Sequence, residues 1–289
     1  MHIRRFATNP IIQPHLDECM DDNINGPSLI HVPDWIEKPL GRYYLYFAHH
    51  DGRYIRLAYS NELQGPWTSY KKGVLPLREA LFAGHVASPD VHVDHAQRQI
   101  CLYYHGTDTP SGGGGKQTSR VALSTDGLHF TARPEHLGLP YFRVFHLDGY
   151  YYALAMPGVF YRSRTGLSDF TEGPTLFTRN MRHTALKLDG PILSVFYTNA
   201  GDCPERILLS TIDLTRDRRS WVASVPVVVL EPELDYEGGN LPRVPSVRGL
   251  VSEPVCQVRD PAIFCENSHT YLLYSVAGEH GIAIAELTA

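Results

Sequence analysis

Five segments of the chain carry short aromatic-rich runs, and each run has a shorter apolar segment on either side. The central runs are YYLYFAHH from Tyr43, ICLYYHG from Ile100, YYYALA from Tyr150, ILSVFYT from Ile192 and TYLLYS from Thr270. Short runs of this kind, rich in aromatic and β-branched residues and bounded by turn residues, are typical of β-strands. The pattern therefore predicts five similar units, each built around one central strand.

The flanking segments complete each unit. A preceding strand is predicted at GPSLIHV from Gly26, SPDVHVD from Ser88, FRVFHL from Phe142, HTALKL from His183 and DPAIF from Asp260. A following strand is predicted at YIRLAYS from Tyr54, SRVALST from Ser119, VFYRS from Val159, RILLST from Arg206 and GIAIAEL from Gly281. GPWTSYKKG and SDFTEGPTLF predict a fourth, outer strand, and Asp-Gly pairs at 51–52, 148–149 and 189–190 predict hairpin turns.

Consecutive strands in five repeats predict an all-β fold, a single five-bladed β-propeller domain over residues 1–289. A doubly wound α/β fold would need helices between its strands, and we find no stretch with a convincing helical period. The N-terminal segment TNPIIQP is too short for a blade of its own. We expect it to pair with the last blade and close the ring, which would cover an exposed sheet edge.

The composition indicates a soluble protein without affinity for polyanions. Hydrophobic residues make up 43% of the 289 residues and charged residues 20%, with a net charge of −5. No apolar run approaches the roughly 18 residues of a membrane helix, and no cluster of Lys and Arg indicates nucleic-acid binding. The N-terminus lacks the apolar region of a secretory signal. We therefore expect a cytoplasmic location, with no nucleic-acid or membrane partner.

Neither the cysteines nor the glycine-rich loop predicts a cofactor. Cys19, Cys101, Cys203, Cys256 and Cys265 are widely spaced, without the C-x-x-C pairs of zinc sites. The loop TDTPSGGGGKQT, residues 107–118, is followed by a strand rather than a helix, which argues against a phosphate-binding loop. We predict no cofactor and no metal ligands, and leave open an ion in the channel.

In a propeller the first strand of each blade lines the central channel, so residues at the start of these strands converge on one pocket. The polar residues at these places are Asp21, Asp22, Asn23, Asn25, His85, Ser88, Asp90, Arg143, Arg182, His183, Arg259 and Asp260. An Asp before a strand is usually a turn residue, but ionisable residues in all five units favour a polar binding pocket. His49, His50 and His105 follow second strands, and we expect them at the opposite rim.

SPDVHVD and ICLYYHG together resemble the blade-two signature of glycoside hydrolase family 43, in which an Asp in an A-P-D-V-like strand precedes a Y-Y-L-Y-Y-like strand. The whole chain resembles the five-bladed propeller glycosidases of families 32, 43, 62, 68, 117 and 130. This resemblance implies three carboxylates around the channel: a general base from blade one, an aspartate from blade two that tunes a pKa, and a general acid that is usually Glu.

The resemblance carries over to individual residues only in part. Asp90 matches the blade-two aspartate. The family's base would stand where this chain has Gly26, so Asp22 is the replacement and Asp21 the next choice. Blade three begins with Phe142-Arg143 and offers no acid. The candidates for the general acid are Glu237, Glu279 and His183.

Asp260 is a further expected catalytic residue, facing the channel, with Arg259 either holding it ionised or binding substrate. The other expected substrate-binding residues are Asn25, His85, Arg143 and Arg182. Our leading hypothesis is a glycoside hydrolase that cleaves a small carbohydrate, a short oligosaccharide or glycoside, with Asp/Glu acid-base catalysis and with inversion if the family 43 analogy holds. The alternatives are a non-catalytic sugar-binding propeller and a family 130-like phosphorylase whose arginines and His183 bind phosphate.

Overall fold

The computed structural model describes residues 1–18, 20–110 and 115–288. Cys19 and residues 111–114 of the glycine-rich loop lie outside the described residues. In chain order the strands are β1 (His2–Arg5), β2 (Asn25–His31), β3 (Tyr43–Ala48), β4 (Tyr54–Ser60), β5 (Thr68–Ser69), β6 (Leu75–Pro76), β7 (Val86–Asp94), β8 (Gln99–Thr107), β9 (Gln117–Ser124), β10 (Thr131–Ala132), β11 (Arg143–Leu147), β12 (Tyr150–Ala155), β13 (Val159–Ser163), β14 (Thr171–Thr175), β15 (Met181–Asp189), β16 (Ile192–Asn199), β17 (Ile207–Asp213), β18 (Val227–Leu230), β19 (Arg259–Glu266), β20 (His269–Ser275) and β21 (Ile282–Thr288).

These strands form five antiparallel sheets, which are the blades of a five-bladed propeller. From the channel outwards, blade one is β2-β3-β4-β5, with β6 also paired to β4, and blade two is β7-β8-β9-β10. Blades three and four are β11-β12-β13-β14 and β15-β16-β17-β18, and blade five is β19-β20-β21-β1. The predicted all-β propeller and the strand triplets are confirmed. The only helical elements in the described part of the chain are two short 3-10 turns, Arg218–Ser220 and Asp235–Glu237.

The N-terminus closes the ring, as predicted, but its pairing strand lies earlier than TNPIIQP. β1 is the outermost strand of blade five and pairs with β21 from His2 opposite Thr288 to Arg5 opposite Ala285. Within TNPIIQP itself, Ile12 makes a single antiparallel bridge to Ile282. The first residues of the chain therefore cover the edge of β21, which would otherwise offer unpaired backbone groups.

The core lies between the blades and is built largely from the central strands. Tyr44, Tyr46 and Tyr104 are fully buried in one cluster that joins blades one and two. Their hydroxyl groups still have partners: Tyr46 donates to the carbonyl oxygen of Gly127 at 2.9 Å and Tyr104 to that of Ala80 at 2.8 Å. An unpaired buried hydroxyl would cost about 1–3 kcal/mol. These tyrosines therefore fill the space between blades and also tie loops to them.

Candidate active site

A backbone irregularity at the start of the innermost strands forms the site. Pairing of the first and second strands shifts register in blades one, two, four and five. The residues with positive φ at these shifts are Gly26 (61°), Ser88 (49°), His183 (45°) and Asp260 (46°), and Tyr141 (62°) occupies the corresponding place before β11. A non-glycine residue held in this region costs on the order of 1–3 kcal/mol, and such strain concentrates at functional sites. The five blades thus present five unusual residues to one end of the channel.

These residues surround a narrow cavity of about 10 Å³. The side chains that line it are Asn25, His50, His85, Ser88, His105, Gln117, Tyr141, His183, Asp260 and Glu279. Of the residues expected in the site, the structure therefore brings Asn25, His85, Ser88, His183, Glu279 and Asp260 together. The lining is almost entirely polar and combines two carboxyl groups with four imidazole rings.

Asp260 is the acidic member of the five bulge residues. Its side chain is 3% exposed, with Oδ1 3.4 Å from Nδ1 of His183 and Oδ2 accepting a hydrogen bond from Ser275 Oγ at 3.4 Å. Burial raises the pKa of Asp260 to about 7, and the negative charge of Glu279 adds to the rise. A large fraction of Asp260 is therefore protonated at neutral pH, which contradicts the expectation that Arg259 keeps it ionised.

Glu279, in the turn between β20 and β21, has the opposite character. Burial alone would raise its pKa, but His50, Asn23 and Arg259 outweigh that effect and lower it to about 2. Asn23 donates to its Oε2 at 2.7 Å, Arg259 donates to its Oε1 at 3.2 Å, and His50 Nδ1 lies 3.4 Å from Oε1. The cavity thus holds one carboxyl group that keeps its proton near neutrality and one that is always ionised.

His183 and Tyr141 form one wall of the cavity. Arg182 donates two hydrogen bonds to Nε2 of His183, at 3.2 and 3.1 Å. Nε2 is therefore the acceptor nitrogen and Nδ1 carries the hydrogen that faces Asp260. Burial and the charges of Arg182 and Arg259 hold the pKa of His183 well below its ordinary value, so the ring is neutral. The Tyr141 ring lies between the rings of His105, at 4.2 Å, and His183, at 5.2 Å.

A buried ion network supports the two carboxyl groups from behind. Arg259 is fully buried and its Nε lies 3.0 Å from Oε2 of Glu205, while Arg182 Nε lies 3.7 Å from Oε1 of the same carboxylate. Neither arginine lines the cavity. The expectation that Arg182 and Arg259 contact substrate directly is therefore not met, because Glu205 and Glu279 hold them in the layer behind. Sequence reasoning missed Glu205, which lies two residues before β17, the third strand of blade four.

Arg143 forms the floor of the site rather than part of its lining. Its guanidinium donates to the carbonyl oxygens of Thr184 at 2.8 Å and Ser88 at 3.2 Å, so one side chain joins blades two, three and four. Below it the channel continues as a second space of about 120 Å³, and Arg143 and Asp90 line that space. Arg143 thus separates the cavity from the lower channel.

Asp90 lies in this lower channel, away from Asp260. It is two residues beyond the bulge at Ser88, and its Oδ2 accepts a hydrogen bond from the backbone N–H of Val144 and lies 2.8 Å from Nε2 of His92. Burial alone would raise the pKa of Asp90, but the His92 and Arg143 charges lower it. The expectation that Asp90 shares one cavity with Asp260 is wrong. Asp90 instead joins the inner strands of blades two and three.

Three further predicted residues also lie elsewhere. Asp22 is on the surface, with a side chain that is 63% exposed and paired with His15 at 2.7 Å. Glu237 is fully buried near the rim, where its Oε1 accepts hydrogen bonds from Arg5 and Tyr274, both at 2.7 Å. Its partners tie the N-terminal strand to blade five, so its contacts are structural. Asp21, the second choice for the base, pairs with Arg56 at 3.0 Å outside the cavity.

Several lining residues were missed or misplaced by sequence reasoning. His50 and His105 were expected at the opposite rim, but His105 pairs with Ala87 at the start of β7. In an antiparallel pair the end of the second strand returns to the start of the first, so both histidines reach the cavity. Tyr141 was missed, although it directly precedes the predicted strand from Phe142. Gln117 was also missed.

The position of the family's base is occupied by a glycine in close contact with blade two. A Cβ atom at Gly26 would lie 3.1 Å from Cα of Ser88, and the backbone of Gly26 has a φ of 61°. An aspartate there would need the Ser88 backbone to shift by a few tenths of an ångström and would hold a strained backbone conformation. Within the described residues, no group of three or more His, Cys, Asp or Glu side chains is arranged to hold a metal ion. No helix in the same part of the chain is long and apolar enough to cross a membrane.

Comparison with known proteins gives one sequence relative and many structural ones. The chain is 36% identical to "Uncharacterized protein R118" of Acanthamoeba polyphaga mimivirus over an alignment 325 positions long, which covers 99% of this chain and 90% of the relative. No protein-family model matches the chain. The sequence comparison therefore identifies a relative, but the name of that relative states no activity.

The solved structures with the same fold include glycoside hydrolases. A family 43 β-xylosidase/α-arabinofuranosidase from a compost microbial metagenome, in complex with xylotriose, gives a TM-score of 0.66 at 16% identity, with 99% of this chain and 96% of that chain covered. A family 130 structure, from work on hydrolases of β-1,2-mannosidic linkages in Candida mannan, gives a TM-score of 0.71 at 12% identity, with 99% of this chain and 94% of that chain covered. A family 43 enzyme from Xanthomonas citri with bound xylose gives a TM-score of 0.62 at 16% identity, with 96% of this chain and 89% of that chain covered. The protein has the five-bladed fold of these enzymes.

Proposed function

The chain belongs to the same family as the uncharacterized mimivirus protein, and from its fold and its cavity we propose that it is a glycoside hydrolase that cleaves a short oligosaccharide or glycoside. The observation that carries this proposal is the pair of carboxyl groups in one cavity, with the pKa of Asp260 near 7 and that of Glu279 near 2. Two carboxyl groups whose pKa values are driven apart are the usual basis for an acid and an ionised partner in glycoside cleavage.

In this proposal Asp260 is the general acid. It donates its proton to the glycosidic oxygen as the bond to the leaving group breaks, which avoids the release of an alkoxide. His183, held by Arg182 with Nδ1–H towards Asp260, fixes the orientation of the carboxyl group and stabilises it after the proton has left. The neutral ring does not compete with Asp260 for the proton.

Glu279 supplies the negative charge. The sugar ring gains positive charge in the transition state, and an ionised carboxylate in a water-poor site stabilises that charge more strongly than it would in water. A water molecule attacks the sugar carbon as the bond to the leaving group breaks, and the proton that this water loses passes to Glu279, the ionised carboxylate of the cavity. Inversion is the outcome that the family 43 resemblance implies, and NMR observation of the first-formed anomer of the product would test it.

The positions of the arginines favour hydrolysis over phosphorolysis. A phosphorylase must present uncompensated positive charge to phosphate, but Arg182 and Arg259 are buried behind the cavity and paired with Glu205 and Glu279. A sugar-binding protein without activity would gain nothing from a carboxyl group with a pKa near neutrality, since an ordinary ionised Asp accepts hydrogen bonds from sugar hydroxyls equally well.

The experiment is a substrate survey of the purified protein with and without inorganic phosphate. Aryl β-xylosides, α-arabinofuranosides and β-mannosides are tested beside xylo-oligosaccharides and β-1,2-manno-oligosaccharides, with release of free sugar as the measurement. We expect free sugar without phosphate, and a loss of about 10²- to 10⁴-fold in kcat for Asp260→Asn. The matched control is Asp148→Asn, an exposed turn residue with a similar φ of 50°. Sugar phosphate formed only when phosphate is present would favour a phosphorylase, and binding without turnover a lectin.

A further inference from the structure

We propose that the opposite face of the propeller carries a second binding site, a cleft between blades two and three that takes a neutral oligosaccharide. The cleft has a volume of about 640 Å³, within the usual range for small-molecule sites of about 300–1,000 Å³. β7 joins the two sites: Ser88 lines the cavity, and the strand ends at Asp94 in the cleft. From Ser88 to Asp94 the strand advances six residues at about 3.3 Å each, so the two sites lie roughly 20 Å apart.

One side of the cleft provides aromatic surface. Tyr151 on β12 is partly exposed, and its ring meets that of His146 at 5.0 Å and an angle of 63°. Phe145 instead packs into the core between blades three and four, stacked on Tyr152 at 5.2 Å. Aromatic rings that are fixed by neighbours but open on one side suit the apolar face of a sugar ring, because they lose little conformational entropy on binding.

The other side of the cleft provides hydrogen-bonding groups, and the positive charge of His92 there is already paired with Asp90. Asp94 and Gln99 on blade two are among the lining residues, and the described lining contains no lysine or arginine. Asp94 uses one carboxylate oxygen to accept the backbone N–H of Gln97 and keeps the other for a ligand. Carboxylate and amide groups suit a ligand with many hydroxyl groups, whereas an anionic sugar would meet an uncompensated negative charge at Asp94.

The wall between the lower channel and the cleft is the ion pair of Asp90 and His92. His92 lines both spaces, and its Nε2 lies 2.8 Å from Oδ2 of Asp90, which also holds the backbone of Val144 on blade three. The same carboxylate therefore fixes the relative position of the two blades that form the cleft. A cleft that is rigid before the ligand arrives binds it at lower entropic cost. Asp90 and His92 therefore have a positioning role in the second site.

The choice of a carbohydrate as the ligand rests in part on the proposed function, whereas the existence of the cleft and the chemistry of its lining do not.

The experiment uses the full chain carrying Asp260→Asn, so that cleavage of the ligand is suppressed, and follows backbone amide signals by NMR during titration. Xylotriose and a β-1,2-mannotriose are the neutral ligands, and a trimer of galacturonic acid is the charged counterpart. Signals of residues 92–97 and 145–147 report on the cleft, and those of residues 85–88 and 182–183 report on the cavity.

We expect a neutral trisaccharide to shift the cleft signals, with binding about tenfold weaker when Tyr151→Ala is added. The matched control is Tyr150→Ala, one position earlier on β12, whose side chain points to the other side of the sheet and packs on Arg164 at 3.6 Å. Shifts confined to the cavity signals, equal weakening by both tyrosine variants, or preference for the charged trimer would each overturn the second site. Cleft binding in a wild-type protein that cleaves no glycoside would refute the proposed function and leave the second site standing.

Discussion

Replacing Asp260 by Asn should make the protein more stable at neutral and alkaline pH. Asp260 ionises near pH 3.8 in the unfolded chain, but in the folded protein burial raises its pKa to about 7. Between these values the folded state binds a proton that the unfolded state has already released. The free energy of unfolding therefore falls as the pH rises through this window and stays low above it. Asparagine has no proton to lose and removes this dependence.

The size of the effect follows from the shift. A change from 3.8 to about 7 is about three pKa units, and at about 1.4 kcal/mol per unit the fully ionised Asp260 costs about 4 kcal/mol of stability. Asn tolerates the left-handed backbone conformation that position 260 requires, at a φ of 46°. Its side-chain oxygen can still face His183 Nδ1, which lies 3.4 Å from Oδ1 of Asp260. Backbone strain and loss of this contact should therefore not mask the gain.

Guanidinium unfolding of wild type and Asp260→Asn at several pH values measures the difference directly. We expect wild type and Asp260→Asn to be equally stable near pH 4. The free energy of unfolding of Asp260→Asn should then exceed that of wild type by a margin that grows to about 4 kcal/mol near pH 8. Asp148→Asn, an exposed residue in the same backbone region, should show no such trend. A difference between Asp260→Asn and wild type that does not change with pH would refute the assignment of a raised pKa to Asp260.

Two further substitutions test the buried carboxylates outside the cavity. Glu237→Gln should lower the free energy of unfolding by about 1–3 kcal/mol in guanidinium unfolding, because the buried carboxylate that accepts from Tyr274 and Arg5 is lost while Arg5 keeps Glu233 at 2.9 Å. An unchanged free energy of unfolding would contradict the structural role of Glu237. Asp90→Asn should destabilise the protein at pH 7 and much less near pH 3, because the lowered pKa of Asp90 contributes stability above its unfolded value that is lost as the pH falls. An equal loss at both pH values would contradict an ionised Asp90 paired with His92.

The fold was predictable because its signals are local. Each blade repeats an aromatic central strand between two shorter strands, and Asp-Gly turns such as Asp148-Gly149 mark the hairpins. A period of two in the side chains and the chemistry of turns need no knowledge of distant contacts. The pairing of the first residues with β21 was predictable in kind, because an open ring leaves an edge, but the strand itself lies at His2–Arg5 rather than in TNPIIQP.

The site was only partly predictable, because a bulge decides which side chains face the cavity. His183 and Asp260 were found because they stand at the bulge itself. Asp90 was misplaced because an extra residue at Ser88 changes the direction of the side chains that follow, and nothing in the sequence marks that residue. Asp22 was misplaced because the chain before β2 has no periodic pattern from which its path could be predicted.

The pH dependence of kcat/KM on the first glycoside found to be cleaved is the most direct test of the central claim that Asp260 is the general acid. Since kcat/KM reports the ionisation of the free enzyme, the account predicts a rate that falls above pH about 7, as Asp260 loses its proton. In Asp260→Asn the remaining activity should lack that decline, and an activated substrate whose leaving group needs no proton should be cleaved with a much smaller loss. A wild-type rate that stays level or rises from about pH 6 to pH 9, with Asp260→Asn following the same curve, would contradict the claim.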